Sequence, residues 1–212
     1  MSTNDFAQHT LVISRRVDIE RRARFKSEAL RIGLRNWSFF EAIDGPGMRL
    51  ATSTPSLFGR HNRPAPNPLS PGEIGCVLSH VAICRVAYAL DLAHVCVIED
   101  DVEFIESTVF WAGWADFLAS LPPDWLMLHA AGDAVAPETE PVVLNEHVAR
   151  VRQSYGTRFM VLTREALTVL INQPVTMCEP SDWMLRPLFD TGRVYCPRQQ
   201  LVRDRNDPGG MP

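Results

Sequence analysis

The sequence predicts an α/β protein: a central, mostly parallel sheet flanked by helices. Three observations carry this. Short apolar, β-branched runs alternate with amphipathic segments through the first 130 residues, the pattern of an α/β layer fold. The run Val95–Ile98 stops directly at Glu99-Asp100-Asp101, where a buried strand would present charge at the ligand edge of such a sheet. With 212 residues and 46% hydrophobic residues, the chain can bury a core as one domain without disulfide or metal staples.

The first element is the strand Thr10–Ser14. A helix over Asp18–Ile32 follows, with Ile19, Ala23, Ala29 and Leu30 as its apolar face and Gly33 as its stop. Asn36–Ile43 reads as a second strand closed by an Asp44-Gly45 turn. Residues 46–68 hold five prolines and little periodicity, so they read as a long surface loop. Ser70-Pro71-Gly72-Glu73 is a helix start, with serine as cap, proline at the first position and glutamate at the third. That helix is expected to run to Leu92, with Ile74, Val77, Leu78, Val81, Arg85 and Tyr88 near one face.

After the acidic triplet, a helix is expected around Thr108–Ser120 and a strand from Trp125. A polar loop, 132–141, leads to short strands near Val142 and at Val148–Gln153. Thr157–Leu162 is a strand, Arg164–Ile171 a helix, and Ser181-Asp182 opens a last helix ending near Phe189. A strand-like Arg193–Pro197 follows. Residues 1–200 are expected to form one domain and 201–212 a disordered tail.

Composition narrows the function. The net charge is −4 and the pI about 5.9, which speaks against nucleic acid as a partner. The chain carries one lysine, Lys26, against twenty arginines, read as codon bias. Cys76, Cys84, Cys96, Cys178 and Cys196 include no CxxC pair and read as reduced core thiols of a cytoplasmic protein, without zinc-site spacing. Neither a signal peptide nor a membrane-spanning run is expected, so membrane contact would be peripheral, at the inner face.

Glu99, Asp100, Asp101, Glu103 and Glu106 put five carboxylates into eight positions. Clustered carboxylates repel unless a cation compensates, and hard Mg²⁺ or Mn²⁺ suits oxygen ligands. In extended chain Glu99 and Asp101 share one side. The alternative is an acidic strand end feeding a helix N-terminus.

The segments FFEAIDG (39–45), LSPGEIGCVLSH (69–80), VCVIEDDVEF (95–104), YGTRFMVLTREAL (155–167) and EPSDWML (179–185) together resemble glycosyltransferase family 25, over roughly Leu11–Leu185. The resemblance implies a GT-A type nucleotide-sugar domain. It implies inverting transfer of a sugar, often galactose from UDP-galactose, to a hydroxyl of a glycan or glycolipid acceptor such as a lipopolysaccharide oligosaccharide. It puts the family's acidic motif on Glu99, Asp100 and Asp101, with Asp101 as the main metal ligand and Glu99 or Asp100 assisting. Asp182 falls on the family's late aspartate, as catalytic base, second metal ligand or helix cap. Ser79 and His80 fall on a Ser-His pair that would meet a phosphate or order the acidic loop. Asp44 would meet a ribose or uracil group, or serve only its turn. Arg15, Arg16, Arg21 and Arg22 include a candidate phosphate contact, a solvated helix face explaining most of them. Family members are often longer at the C-terminus, which keeps open a non-catalytic nucleotide- or glycan-binding module on the same fold.

Overall fold

A computed structural model describes residues 6–47, 69–105, 111, 113–131, 141–173 and 181–204. Its strands are β1 (His9–Ser14), β2 (Trp37–Glu41), β3 (His94–Glu99), β4 (Val102–Phe104), β5 (Met127–His129), β6 (Val142–Val143), β7 (Val148–Arg150), β8 (Phe159–Thr163), β9 (Val194–Pro197) and β10 (Val202–Asp204). The α-helices are α1 (Ile19–Ile32), α2 (Pro71–Ala89), α3 (Trp114–Ala119), α4 (Arg164–Ile171) and α5 (Arg186–Phe189). Short 3-10 turns stand at Gly45–Gly47 and Ser181–Leu185. The proline-rich 48–68, the polar 132–140 and Cys178 lie outside the described residues.

Eight strands form one sheet in the order β2-β1-β3-β8-β5-β9-β7-β6, and β10 pairs with β4 in a second, two-stranded sheet. The expectation of a mostly parallel sheet is corrected. β1 runs parallel to β2 and β3, and β5 to β9, but β8 is antiparallel to both β3 and β5, and β7 to both β9 and β6. The sheet is mixed. One of its parallel parts, β2-β1-β3, supplies the strand ends of the site.

Both faces are covered, and the period-two alternation of each strand divides two cores. Val12, Cys96, Ile98, Leu128, Phe159 and Val161 point into an aromatic-rich core with Phe6, Phe25, Phe104, Trp111 and Trp114. Leu11, Ile13, Val95, Val97, Met127, Met160 and Leu162 point into the core under α2, α4 and α5.

The helix boundaries follow their sequence signals better than the helix faces do. Gly33 stops α1 in the left-handed region (φ 77°), where glycine carries no Cβ penalty. The expected α1 face is wrong in most members. Ile19 and Leu30 are exposed, Ala23 is exposed as well, and the buried stripe is Phe25, Ala29 and Ile32. Ser70 and Glu73 form the reciprocal capping box at the start of α2, with Pro71 at the first position. α2 ends at Ala89, earlier than Leu92, with Asp91 at φ 57° just beyond. By length and mean hydropathy (1.2) α2 could cross a membrane. Here Ile83, Cys84 and Ala87 bury against the sheet, while Ile74 and Val77 pack on Leu69. Arg85, expected near the apolar face, is exposed.

β4 and β10 were not expected. Val202 pairs with Phe104 and Asp204 with Val102, and Leu201 and Val202 are fully buried. The first residues of the expected tail are therefore strand, and 205–212 lie outside the described residues.

Candidate functional site

A cavity of about 360 Å³ opens at the carboxyl ends of β1, β2 and β3, under the first turns of α2. The strand ends deliver Ser14, Asp44 and the acidic triplet, α1 delivers Arg21, and α2 delivers Cys76, Ser79 and His80. Parallel strands place side chains at this edge by their common direction, which is why ligands of open α/β sheets bind there.

One wall depends on two glycines. Gly45 and Gly75 bring the 44–47 turn against α2 so closely that a Cβ on Gly75 would stand 2.5 Å from the Ile43 carbonyl oxygen and 2.7 Å from the Gly45 nitrogen. Ser79 locks the same junction. Its hydroxyl donates to the Gly75 carbonyl (2.6 Å) and accepts from the Ile43 amide (2.8 Å). Ser79 thus lines the cavity while its hydroxyl is taken up in holding two backbone segments together.

The three adjacent acids part company. Glu99, the last residue of β3, turns toward α2. Its Oε1 lies 3.0 Å from His80 Nε2 and accepts from the Thr157 hydroxyl at 2.7 Å. Asp100 and Asp101 stand in the turn after β3 and share the guanidinium of Arg21, at 3.0 and 3.2 Å. The sequence expectation that Glu99 and Asp101 act together assumed an extended chain. The strand ends between them, and the turn sends the side chains to different partners.

Electrostatics follow from these contacts. Burial alone would raise the Glu99 carboxyl, but the His80 ring, the Thr157 hydroxyl and Arg158 outweigh it and hold it below the usual range. Burial alone would lower the His80 imidazolium, yet Cys76 and Glu99 beside it lift it to about 9. The Asp100 carboxyl is raised, chiefly by burial and also by Asp18 and Glu99, against the pull of Ser14 and Arg21. Its Oδ2 is buried and takes no hydrogen bond.

At the outer rim Asp44 accepts from Arg15 (3.1 Å), which also grips Asp18 (2.8 Å). Arg22 reaches the Ser14 carbonyl (2.7 Å) and Glu41 (3.0 Å). Asp182 is the second residue of the 3-10 turn Ser181–Leu185, and its side chain lies outside the described residues. Its neighbour Ser181 joins the cluster, with its hydroxyl 3.4 Å from Cys76 Sγ and 3.2 Å from Thr157 Oγ1.

A hard divalent cation fits one part of this set. Asp100 and Asp101 offer only oxygens, and Asp100 Oδ2 is an unmet buried acceptor, the donor chemistry that Mg²⁺ or Mn²⁺ takes. Arg21 supplies the counter-charge there. Among the described residues, the group whose ligand atoms converge is a different one: Cys76, His80 and Glu99, within 4.8 Å of one another. Cys76, Thr157 and Ser181 are the site residues that sequence reasoning missed. The signal for the first was the Cys76–His80 spacing of four on a helix. The other two lie in the later family-like segments, 155–167 and 179–185, but nothing local marked these particular hydroxyls.

The molecule is thus an α/β protein with a polar cavity at the carboxyl edge of a parallel β2-β1-β3 unit, lined by carboxylates, guanidinium groups and a buried histidine. The profile of glycosyltransferase family 25 (LPS biosynthesis protein) matches residues 7–155, and the chain belongs to that family. It is 34% identical over 127 residues to the bovine (Bos taurus) protein "Probable inactive glycosyltransferase 25 family member 3", a match that takes in 58% of this chain and 21% of that one. The chain therefore spans about a fifth of that relative's length. Among solved structures it is similar to A197 from STIV, at 13% identity and a TM-score of 0.46 over 97% of this chain and 98% of that one.

Proposed function

We propose that the cavity binds a nucleotide-sugar donor and that the protein is an inverting glycosyltransferase on a GT-A-type domain. It would move a hexose, galactose from UDP-galactose first among candidates, to a hydroxyl of a glycan or glycolipid acceptor such as a lipopolysaccharide oligosaccharide. The observation that carries this reading is the cavity itself: Asp100, Asp101, Arg21, Arg15 and Asp44 meet at the carboxyl edge of parallel strands, within the segment that matches the family.

The chemistry asked of the chain is modest. Arg15 and Arg21 offer guanidinium donors to a diphosphate, and Asp44 offers an acceptor to a ribose hydroxyl. In an inverting transfer the acceptor oxygen bonds to the anomeric carbon as that carbon's bond to the diphosphate breaks. The acceptor proton goes to a base, for which Asp182 is the candidate, and UDP leaves. Asp101 with Asp100 would hold Mn²⁺ or Mg²⁺, and a cation there neutralises charge on the leaving diphosphate. The reading places the protein in the cytoplasm, where a lipid-linked acceptor would be met peripherally at the inner membrane face.

A second reading, a module that grips a nucleotide or glycan without catalysis, draws support from the pairing of both aspartates with Arg21 and from the relative named as inactive. One experiment separates the two. Thermal shift with UDP-sugars, with and without Mn²⁺, is followed by assay of UDP release with acceptor present. A ligand at 100 times its Kd stabilises by about 2.7 kcal/mol. Stabilisation by one UDP-sugar together with UDP release, both lost in Asp101→Ala, supports the transferase. Stabilisation without UDP release supports the module. No response to any UDP-sugar overturns the donor site.

A further inference from the structure

We propose that Cys76, His80 and Glu99 form a zinc site at the floor of the cavity, with its fourth coordination position open to the cavity. This site is separate from the Asp100–Asp101 pair. Cys76 and His80 stand one turn apart on α2, and Glu99 closes the group from the end of β3. Their ligand atoms lie within 4.8 Å of one another, and His80 Nε2 and Glu99 Oε1 are already 3.0 Å apart. Tetrahedral zinc, with bonds of about 2.0–2.3 Å, holds such atoms roughly 3.3–3.7 Å apart, so the metal-free cluster already lies near the bound geometry.

The donor set selects the metal. A thiolate, an imidazole and a carboxylate suit borderline Zn²⁺, whereas Mg²⁺ and Mn²⁺ favour all-oxygen sets. Supports stand around the ligands. Thr157 donates to Glu99 at 2.7 Å, and Ser181 lies 3.4 Å from Cys76 Sγ; such partners orient ligands before an ion arrives. The His80 side chain is 1% exposed, and its Nδ1 takes no hydrogen bond. The ion is held by thiolate, neutral imidazole and carboxylate, and any protons it displaces go to solvent. All three ligands line the cavity. An oxygen of an anionic ligand, or a water, therefore fills the fourth position, the arrangement of a three-ligand zinc centre.

The test uses the full chain, stripped with chelator and titrated with Co²⁺ alone. Cobalt in this site gives a thiolate-to-metal charge-transfer absorption that saturates at a single equivalent. Cys76→Ser is expected to lose the band while keeping the wild-type far-ultraviolet circular dichroism. Thr157→Ala is expected to weaken Co²⁺ about tenfold, and Asp101→Asn to keep the band. Zn²⁺ is expected to raise the Tm of the stripped wild type and not that of Cys76→Ser. A folded wild type without the band, a band surviving in Cys76→Ser, or one lost in Asp101→Asn overturns the proposal. These readouts need no nucleotide sugar, so the zinc site and the donor reading can fail separately.

Discussion

At the residue scale the site rests on how few charges are left to balance each other. Asp100 has a side chain only 5% exposed and depends on Arg21. Arg21→Gln removes the guanidinium that spans Asp100 and Asp101 and leaves a buried carboxylate without its counter-charge. The expected cost is on the order of 1–3 kcal/mol at neutral pH, read by chemical denaturation, and added Mn²⁺ should restore part of it by taking the vacated place. A variant as stable as wild type would show that the pair contributes nothing. Asp18 gives a pH test. The Arg15 hydrogen bond, then the charges of Arg15, Arg21 and Arg22, hold its carboxyl below its ordinary value against burial. A carboxyl lowered on folding adds stability that is present above its unfolded pKa and is lost as pH falls through its folded one. Asp18→Asn should therefore lower Tm at pH 7, with the gap closing toward pH 3; a pH-independent gap would place the effect in packing instead. The place of the acidic triplet at the sheet's carboxyl edge, where the cavity lies, was legible from its position after a buried run. Its division between His80 and Arg21 was not, because the end of β3 between Glu99 and Asp100 depends on the β8 pairing, which the local sequence does not encode.

At the element scale the strongest sequence signals were caps. The Ser70–Glu73 box and Gly33 sit at helix ends, where local chemistry decides; the structure adds a cap not read from the sequence, Thr163, whose hydroxyl accepts from the Ala166 amide at 3.2 Å. Ser70→Ala should cost about 1 kcal/mol, measured by urea unfolding. Buried faces were less legible. Ile19 and Leu30 are apolar yet exposed, and Phe25 carries the contact of α1 through its edge-on packing with Trp37. A helical wheel does not show which face a sheet will cover. The junction of α2 with the 44–47 turn makes a sharper test. A methyl at Gly75 meets backbone atoms of Ile43 and Gly45 that have no rotamer to yield. Gly75→Ala is expected to push the turn off the helix, lowering Tm and weakening any ligand response of the cavity. Gly156→Ala, at a left-handed φ of 84° with open space around it, separates backbone strain from crowding, since it should lower Tm while leaving the ligand response intact.

At the scale of the whole molecule, strand direction was the piece the sequence withheld. β3 and β8 are both nearly continuous apolar runs, buried on two faces. Such a run carries the same pattern whether its neighbour is parallel or antiparallel, so alternation with helices suggested parallel pairing that β8 breaks. The three-residue β4 and β10 fell below any period that a sequence displays. They nevertheless tie the end of the described chain to the site. β4 begins directly after Asp101, β10 pairs along it, and the Ile105 amide donates to the Leu201 carbonyl. Ending the chain after residue 200 would strip the ladder from β4 and the buried Leu201 and Val202 from the aromatic core. Burying a side chain of this size is worth about 1.5–3 kcal/mol, so a loss of several kcal/mol is expected by denaturant unfolding. Because β4 is the anchor of the Asp100–Asp101 turn, the same truncation should reduce Mn²⁺- or nucleotide-dependent stabilisation further than its Tm loss accounts for. Ending the chain after 204 keeps the β4–β10 ladder and serves as the reference for both measurements. Equal ligand responses in the two truncations would mean that β3 and Arg21 alone hold the acidic turn.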